Sequence, residues 1–534
     1  MRAFSALLNR LVFTPSRNAK LALLKAYFEE APDPDRGWAL AALTDGLFFR
    51  LPVRRILTEL IEPWVDPVLY RLSRDYVGDT AETVALLWPE RKSAGEPPTL
   101  AEVVKQIAKA DKTELSSLIA GWLDTLDANG RWALLKLLTG ALRVGVSARL
   151  AKTAIADFGG VDPADIEEVW HAVEPPYTEL FDWLRGAADR PDPGAKPVFR
   201  PLMLAHPIEE GDWPNLDPKD FFAEWKWDGI RVQIAVRDDE VRLYSRAGDD
   251  ISAAFPDIAF AFRGRHVVLD GELLVVRDGE IAPFNDLQQR LNRKVVTPKM
   301  VERYPAHVRL YDILIEGTED LRPLPIEQRR ARLEDWHALA APSRSDVSEL
   351  IEFASFADLD LLWSAAREAG IEGLMLKRRA SPYVAGRPKG HWWKWKRAPL
   401  TVDVVMMYAQ RGSGKRSSYY SDYTFGAWRN GEDGSEELVP VGKAYSGFTD
   451  EELLRLDRWI RNNTIDRFGP VRSVKPGIVL EIAFDSVHVS TRHKSGVAMR
   501  FPRVHRIRWD KPAEEADRLE TLEAMIVGTP ADAA

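Results

Sequence analysis

The stretch ADRPDPGAKPVFRP, residues 188–201, constrains this chain more than any other. It holds four prolines in fourteen residues. Proline lacks the amide hydrogen that helices and central strands need, so neither element tolerates that density. The segment reads as a linker, and the texture of the sequence differs on its two sides.

Before the linker, residues 1–187 read as helices. In MRAFSALLNRLVF, Phe4, Leu7, Leu8 and Leu11 recur at helical spacing, which describes an amphipathic helix and not a signal peptide. Thr99 and Glu102 form a capping box ahead of LAEVVKQIAKA. Asn129-Gly130 is expected to end one segment, with RWALLKLLTGALR following as a helix. In LRVGVS (142–147), Gly145 lets a partner approach the backbone and Arg143 could reach a phosphate.

After the linker, short β-branched runs bounded by turn residues take over: RVQIAV, VRLYS, HVVLDGELLVV, VRLYDILI and GLMLK. Helical stretches such as PIEQRRARLEDW lie between them, which predicts an α+β domain over 202–397. Residues 398–511 carry more strand-like runs around one helix, TDEELLRLDRWI, opened by a second capping box from Thr449 to Glu452. That balance suits a small β-barrel such as an OB-fold. Residues 512–534 form a C-terminal tail. At 534 residues, several domains are the expectation.

Composition narrows the function. No apolar run approaches the ~20 residues of a membrane span, so the chain reads as a cytoplasmic protein with no membrane partner. The absence of cysteine rules out disulfides, thiol nucleophiles and thiolate zinc sites. The formal net charge of −8 hides an uneven distribution. Residues 387–416 contain one acid, Asp403, and residues 491–511 contain one, Asp510. Two such basic stretches on an acidic protein point to a local anionic ligand.

The chemistry centres on EWKWDGIR, residues 224–231. On a strand, Glu224, Lys226 and Asp228 would face one way and Trp225 and Trp227 the other. Such a strand is either a solvated edge or the wall of a charged cleft. The motifs that follow decide between them. YSRAGDD puts Arg246 at a strand end. LDGEL places Asp270 and Glu272 on one strand face, able to hold a hard divalent cation. VRLYDIL offers Tyr311 for stacking, and EGLMLK adds Glu372. WWKWK supplies Lys394 and Lys396 on one face, and RFPRVHRIRWDK ends with Arg506, Arg508 and Lys511. Singly, each motif has an ordinary structural explanation. Jointly they describe a nucleophile, acids for a metal, a stacking ring and cations for a polyphosphate. An amine near its reference pKa of ~10.4 is a poor nucleophile at neutral pH. Aromatic burial, Lys394, Lys396 and a bound metal would lower it. The α-phosphorus of a nucleoside triphosphate suits such an amine, with charge on the phosphoryl oxygens met by Mg²⁺ and cations.

As an ordered set, KWDG, YSR, LDGEL, VRLYDIL, EGLMLK, WWKWK and RFPRVHRIRWDK resemble the ATP-dependent DNA ligases among the covalent nucleotidyltransferases, over about residues 200–511. RDYVGDTAETVALLWP (74–89) and LRVGVS resemble the helical DNA-binding domain of the bacterial three-domain type. The resemblance implies an all-α N-terminal DNA-binding domain, an α+β nucleotidyltransferase domain of the ATP-grasp-like ligase kind, and a C-terminal OB-fold barrel. It implies that Lys226 takes AMP from ATP, with Mg²⁺ present. Glu224 would sit beside adenine, Arg231 reach the ribose and Tyr311 stack on the base, where relatives commonly carry phenylalanine. Arg246 would engage the nucleotide or the 5′-phosphate of a nick, and Glu272 and Glu372 the ribose or metal. Lys394 and Lys396 would contact the α-phosphate, and Arg387 matches a basic site before their strand. Arg506, Arg508 and Lys511 would orient departing pyrophosphate. The barrel must then withdraw, with a hinge at Lys396–Leu400. The implied partner is nicked double-stranded DNA, encircled by a monomer. An RNA ligase or capping guanylyltransferase, or a non-catalytic nick- or end-binding clamp, remains an alternative at this point. NAD-dependent ligases generally carry a cysteine zinc site, which this chain lacks.

Overall fold

The computed structural model describes residues 1–534 apart from 50, 91–94, 112–113, 141, 193–195, 292, 294, 367–370, 397–398, 413–419, 432–433, 446–447, 492 and 527–534. The chain divides into two compact units, Met1–Ala151 with Ala398–Ala534, and Lys152–Arg397. Arg397 and Ala398, at the centre of the expected hinge, lie outside the described residues. No helix among the described residues is long and apolar enough to cross a membrane.

In the first unit, residues 1–151 are helical. Arg2–Phe13 buries Phe4, Leu7, Leu8 and Leu11, the stripe its spacing predicts. The Thr99–Glu102 capping box forms. Asn129-Gly130 does not end a segment, as the sequence reading had it. Asp127 caps a helix over Ala128–Thr139, and its carboxylate accepts the Gly130 amide hydrogen at 2.7 Å. The cap one residue earlier satisfies an orphan amide of the first turn, so Asn-Gly falls inside the helix.

The described residues between 399 and 526 of the same unit form a β segment. Its main sheet runs in the order Glu436–Ala444, Tyr420–Asn430, Leu400–Arg411, Val471–Val474, Thr464–Phe468. Val479–Phe484 joins Leu400–Arg411 to Arg503–Arg508. The helix Asp450–Asn462 opens on the Thr449–Glu452 capping box and sends Leu456 and Ile460 into the core of this sheet.

The second unit holds two sheets. Helices Pro163–Val169 and Thr178–Leu184 belong to it, tied down by Lys152–Glu167 at 2.6 Å and Arg322–Glu168 at 2.8 Å. One sheet runs His206–Pro207, Trp392–Lys396, Gly373–Arg378, Phe221–Lys226, Leu350–Ile351. The other runs Glu240–Ser245, Ile230–Asp238, Arg265–Arg277, Ala306–Glu316, Glu319–Asp320. Alternation divides the first sheet. Ala223, Trp225, Leu374, Leu376, Trp393 and Trp395 share an apolar layer closed by Trp363 and Leu359. Within it Trp395 packs edge-on against Trp213 at 4.6 Å and Trp363 at 5.0 Å, an arrangement that aromatic quadrupoles favour.

Two tryptophans depart from the sequence reading. The Phe221–Lys226 strand stops before Trp227, whose ring lies under the Arg309 guanidinium at 4.4 Å. The turn chemistry of Asp228-Gly229 ends the strand first, so Trp227 escapes the alternation. Trp392 falls by parity on the lysine side, where the Lys377 ammonium sits 4.9 Å from its ring.

Candidate active site

Strand register brings the key side chains together. Gly373 pairs with Lys226 on one side and Lys396 on the other. Met375 lies between Glu224 and Lys394 in the same way. Residues 224, 226, 394 and 396 therefore project from one face, opposite the tryptophan layer. A side chain at 373 would run into the Trp395 carbonyl, so only glycine lets the strands approach there. Glu372, one residue before the strand, donates its amide hydrogen to the Lys226 carbonyl at 2.9 Å. Its carboxylate accepts from both Lys226 Nζ and Lys396 Nζ. Burial alone would push the Glu372 carboxyl up, but Lys226 and Lys396 outweigh it and hold the group below the usual carboxylate range. The Lys226 side chain is 23% exposed. Its ammonium faces the Glu372 carboxylate, which it shares with Lys396.

Gly229 carries the chain from this sheet to the second one. A β-carbon there would collide with the Leu273 carbonyl and the Glu272 side chain. Glu272, from the Arg265–Arg277 strand, is thus brought beside the Lys226 turn. Burial pushes its carboxyl up to about 8; Lys226 and Arg231 pull it down, and Glu372 and Asp270 push it further up. Two carboxylates that repel each other beside the Lys226 ammonium form an incomplete cation site. Among the described residues no group of three or more His, Cys, Asp or Glu could hold a metal unaided. Mg²⁺ commonly takes one or two carboxylates and completes its shell with water and substrate phosphate oxygens. Glu272 and Glu372 fit that pattern.

Asp270 has a different surrounding. It is fully buried, and its two oxygens are taken by four donors. Arg231 Nε and Tyr311 OH donate to Oδ1, each at 3.1 Å. Arg231 Nη2 and Tyr383 OH donate to Oδ2 at 2.6 and 2.7 Å. With both oxygens engaged by these four donors, Asp270 fixes Arg231, which counts against its expected role as a metal ligand. Its place on the same strand face as Glu272 suggested ligation, but the sequence could not show three donor residues arriving from distant segments. Burial pushes the Tyr311 and Tyr383 hydroxyls up.

Glu224 is also buried and pairs with Lys377 at 2.9 Å. The Lys377 ammonium stands 4.3 Å from the centre of the Tyr311 ring. A carboxylate and an aromatic face are thus fixed by one cation, an arrangement suited to holding a planar base. Lys377 and Tyr383 were missed by the sequence reading. Lys377 ends the EGLMLK run at the parity of the site face, a signal that was available. Tyr383 opens the YVAGRPKG stretch that carries Arg387, but the reading gave it no role.

A positive cluster completes the face. Burial lowers the Lys394 amine, and Lys396, Arg387, Arg246 and Lys226 lower it further. Four cations acting on a fifth make a site that favours a dense anion. Arg506, Arg508 and Lys511 belong to the other unit, where acids of their own β segment hold them: Arg506 on Glu481 at 2.8 Å, Arg508 and Lys511 on Asp403 at 2.9 Å each. Arg143 is exposed in the loop before the Ala148–Gly159 helix. The Gly145 carbonyl accepts from Lys20 Nζ at 2.6 Å.

Comparison with known proteins places these features in one class. Residues 202–396 match the ATP dependent DNA ligase domain, and residues 416–511 match the ATP dependent DNA ligase C terminal region. The chain is 36% identical over 415 residues to a probable DNA ligase of Koribacter versatilis, covering 73% of this chain and 71% of that one. It is 31% identical over 544 residues to DNA ligase 1 of Korarchaeum cryptofilum, covering 98% and 97%. A solved structure titled Pmar-Lig_PreS3 shares the fold, with TM-score 0.59 at 18% identity over 95% of this chain and 99% of that one. The chain belongs to the ATP-dependent DNA ligase family.

Proposed function

We infer that this ligase seals 5′-phosphate/3′-hydroxyl nicks in duplex DNA through a lysyl-AMP intermediate. The observation that carries the reading is the triad of Lys226, Glu372 and Lys396 on one sheet face, within a cluster of further cations. In the first step the Lys226 Nζ lone pair attacks the α-phosphorus of ATP. A P–N bond forms, the P–O bond to pyrophosphate breaks and the proton shed by Nζ passes to water. Glu372, held ionised by Lys226 and Lys396, keeps Nζ in place. Lys394 and Lys396 meet the charge that develops on the α-phosphate, with Arg246 and Arg387 beside them. Glu224 and Tyr311 seat the adenine, and Arg231, held by Asp270, reaches the ribose. A magnesium ion held by Glu272 and Glu372 would polarise the phosphate oxygens. AMP then passes to the 5′-phosphate of the nick, and the 3′-hydroxyl attacks that phosphate to release AMP.

The domain reading supports this sequence of steps. The C-terminal β segment is taken as an OB-fold barrel whose Arg506, Arg508 and Lys511 act on pyrophosphate. The helical segment is taken to grip DNA through the Arg143–Gly145 loop, so that a cytoplasmic monomer surrounds its substrate. Incubation with α-labelled ATP and Mg²⁺ is expected to give an acid-labile protein adduct that Lys226→Ala abolishes. Unchanged labelling in that variant removes Lys226 from the mechanism. Side-by-side sealing of nicked DNA and nicked RNA tests the substrate.

A further inference from the structure

The cations at the end of the β segment are arranged by acids whose role goes beyond neutralising charge. Asp403 lies on the Leu400–Arg411 strand, in one row with Glu481 and Arg506 across three strands. It is 8% exposed. Its Oδ2 accepts from Arg508 Nη1 and Lys511 Nζ, each at 2.9 Å. Asp510 takes the other edge of Arg508, accepting from Nε at 3.1 Å and Nη2 at 2.9 Å. Among the described residues Asp403 alone bridges the two cations. Its backbone is pinned as well. The Asp403 amide donates to Asp517 Oδ2, and its carbonyl accepts from the Asp517 amide, both at 2.8 Å. Asp403 Oδ1 is buried with no hydrogen-bond partner among the described residues.

Two cations brought side by side repel, and long Lys and Arg side chains lose rotamer freedom when held in one geometry. A carboxylate fixed at both backbone ends removes both costs before any ligand arrives. We propose that Asp403 is a positioning residue for the leaving group, holding Arg508 and Lys511 on one oxygen so that they meet pyrophosphate as a preformed pair. The proposal rests on the reading that these two cations act on pyrophosphate. It assigns to Asp403 a step-specific effect that a merely structural ion pair would not have.

The test compares three rates in the full-length enzyme: adduct formation from labelled ATP, reversal of the adduct by pyrophosphate, and sealing of nicked DNA that already carries AMP. Asp403→Asn is expected to slow the first two at least about tenfold, because misplacing a contact by roughly an ångström is costly in a charged transition state. Sealing of pre-adenylated DNA is expected to stay within about twofold, since no pyrophosphate takes part. Asp403→Glu keeps the charge on a longer arm, so it preserves folding and is expected to show the same split at an unchanged melting temperature. Equal slowing of all three rates in both variants overturns the proposal in favour of a structural contact. So does full-rate adduct formation in Asp403→Asn while Lys511→Ala is slow. If Arg508→Ala and Lys511→Ala both form the adduct at full rate, the reading of those cations fails, and the role of Asp403 falls with it.

Discussion

Lys226 and Lys396 stand on either side of Gly373 in one sheet and share the carboxylate of Glu372. Under the proposed mechanism one of the two is the attacking amine and the other an electrostatic partner for the phosphate, so they should respond differently to substitution. Lys396→Ala is expected to slow adduct formation by about a hundredfold, as loss of one preorganised donor does. Its melting temperature is expected to move little, because the side chain is 38% exposed and its pair with Glu372 is largely solvent-screened. Rapid-quench labelling beside thermal melts checks both; a melt shift as large as the rate loss would assign Lys396 a structural role.

The buried pair of Arg231 and Asp270 predicts a stability effect. Asp270→Asn removes the charge that compensates the guanidinium, and breaking one partner of a buried ion pair costs about 3–5 kcal/mol. Urea unfolding is expected to show that loss with an unchanged slope. A variant of wild-type stability that fails only in metal dependence would return Asp270 to the metal.

Glu272 predicts a pH dependence in the metal-free protein. Its carboxyl is pushed up to about 8 in the fold, from an ordinary 4.5. The folded chain therefore holds a proton that the unfolded chain releases above about pH 4.5. The stability linked to that proton is complete below the unfolded value and is lost as pH rises through about 8. Glu272→Gln cannot titrate, so it should gain on the order of 3 kcal/mol relative to wild type between pH 5 and pH 8. Added Mg²⁺ is expected to shrink the gap by stabilising the carboxylate. Denaturant midpoints at several pH values check it; parallel profiles for the two proteins would refute the assignment.

Glu224 and Lys377 predict a compensating double variant. Lys377→Met strands a buried carboxylate and is expected to cost about 3–5 kcal/mol. Adding Glu224→Gln should recover most of that stability while leaving ATP labelling impaired. If the double variant labels as wild type does, neither residue handles the base.

Much of this was legible in the sequence because period-two alternation translates directly into faces. EWKWD and WWKWK announced a lysine face and a tryptophan face, and the strand register sets Lys226 and Lys396 on either side of Gly373. Asp270 was harder to read. The donors that saturate it, Arg231, Tyr311 and Tyr383, come from positions separated by 39, 41 and 113 residues. No local pattern reports such convergence. Trp227 was misassigned because a turn cut the strand one residue short, and strand ends are set by hydrogen bonding that residue types only suggest.

The tryptophan-backed sheet also ties correct folding to activity. On a strand of period two, slipping by a single residue would exchange the faces completely, sending indoles toward the nucleotide and ammonium groups into the apolar layer. Partly correct pairings of the Phe221–Lys226 strand are thereby excluded from catalysis. The fraction of molecules that can be charged with AMP then counts the fraction that have folded in register.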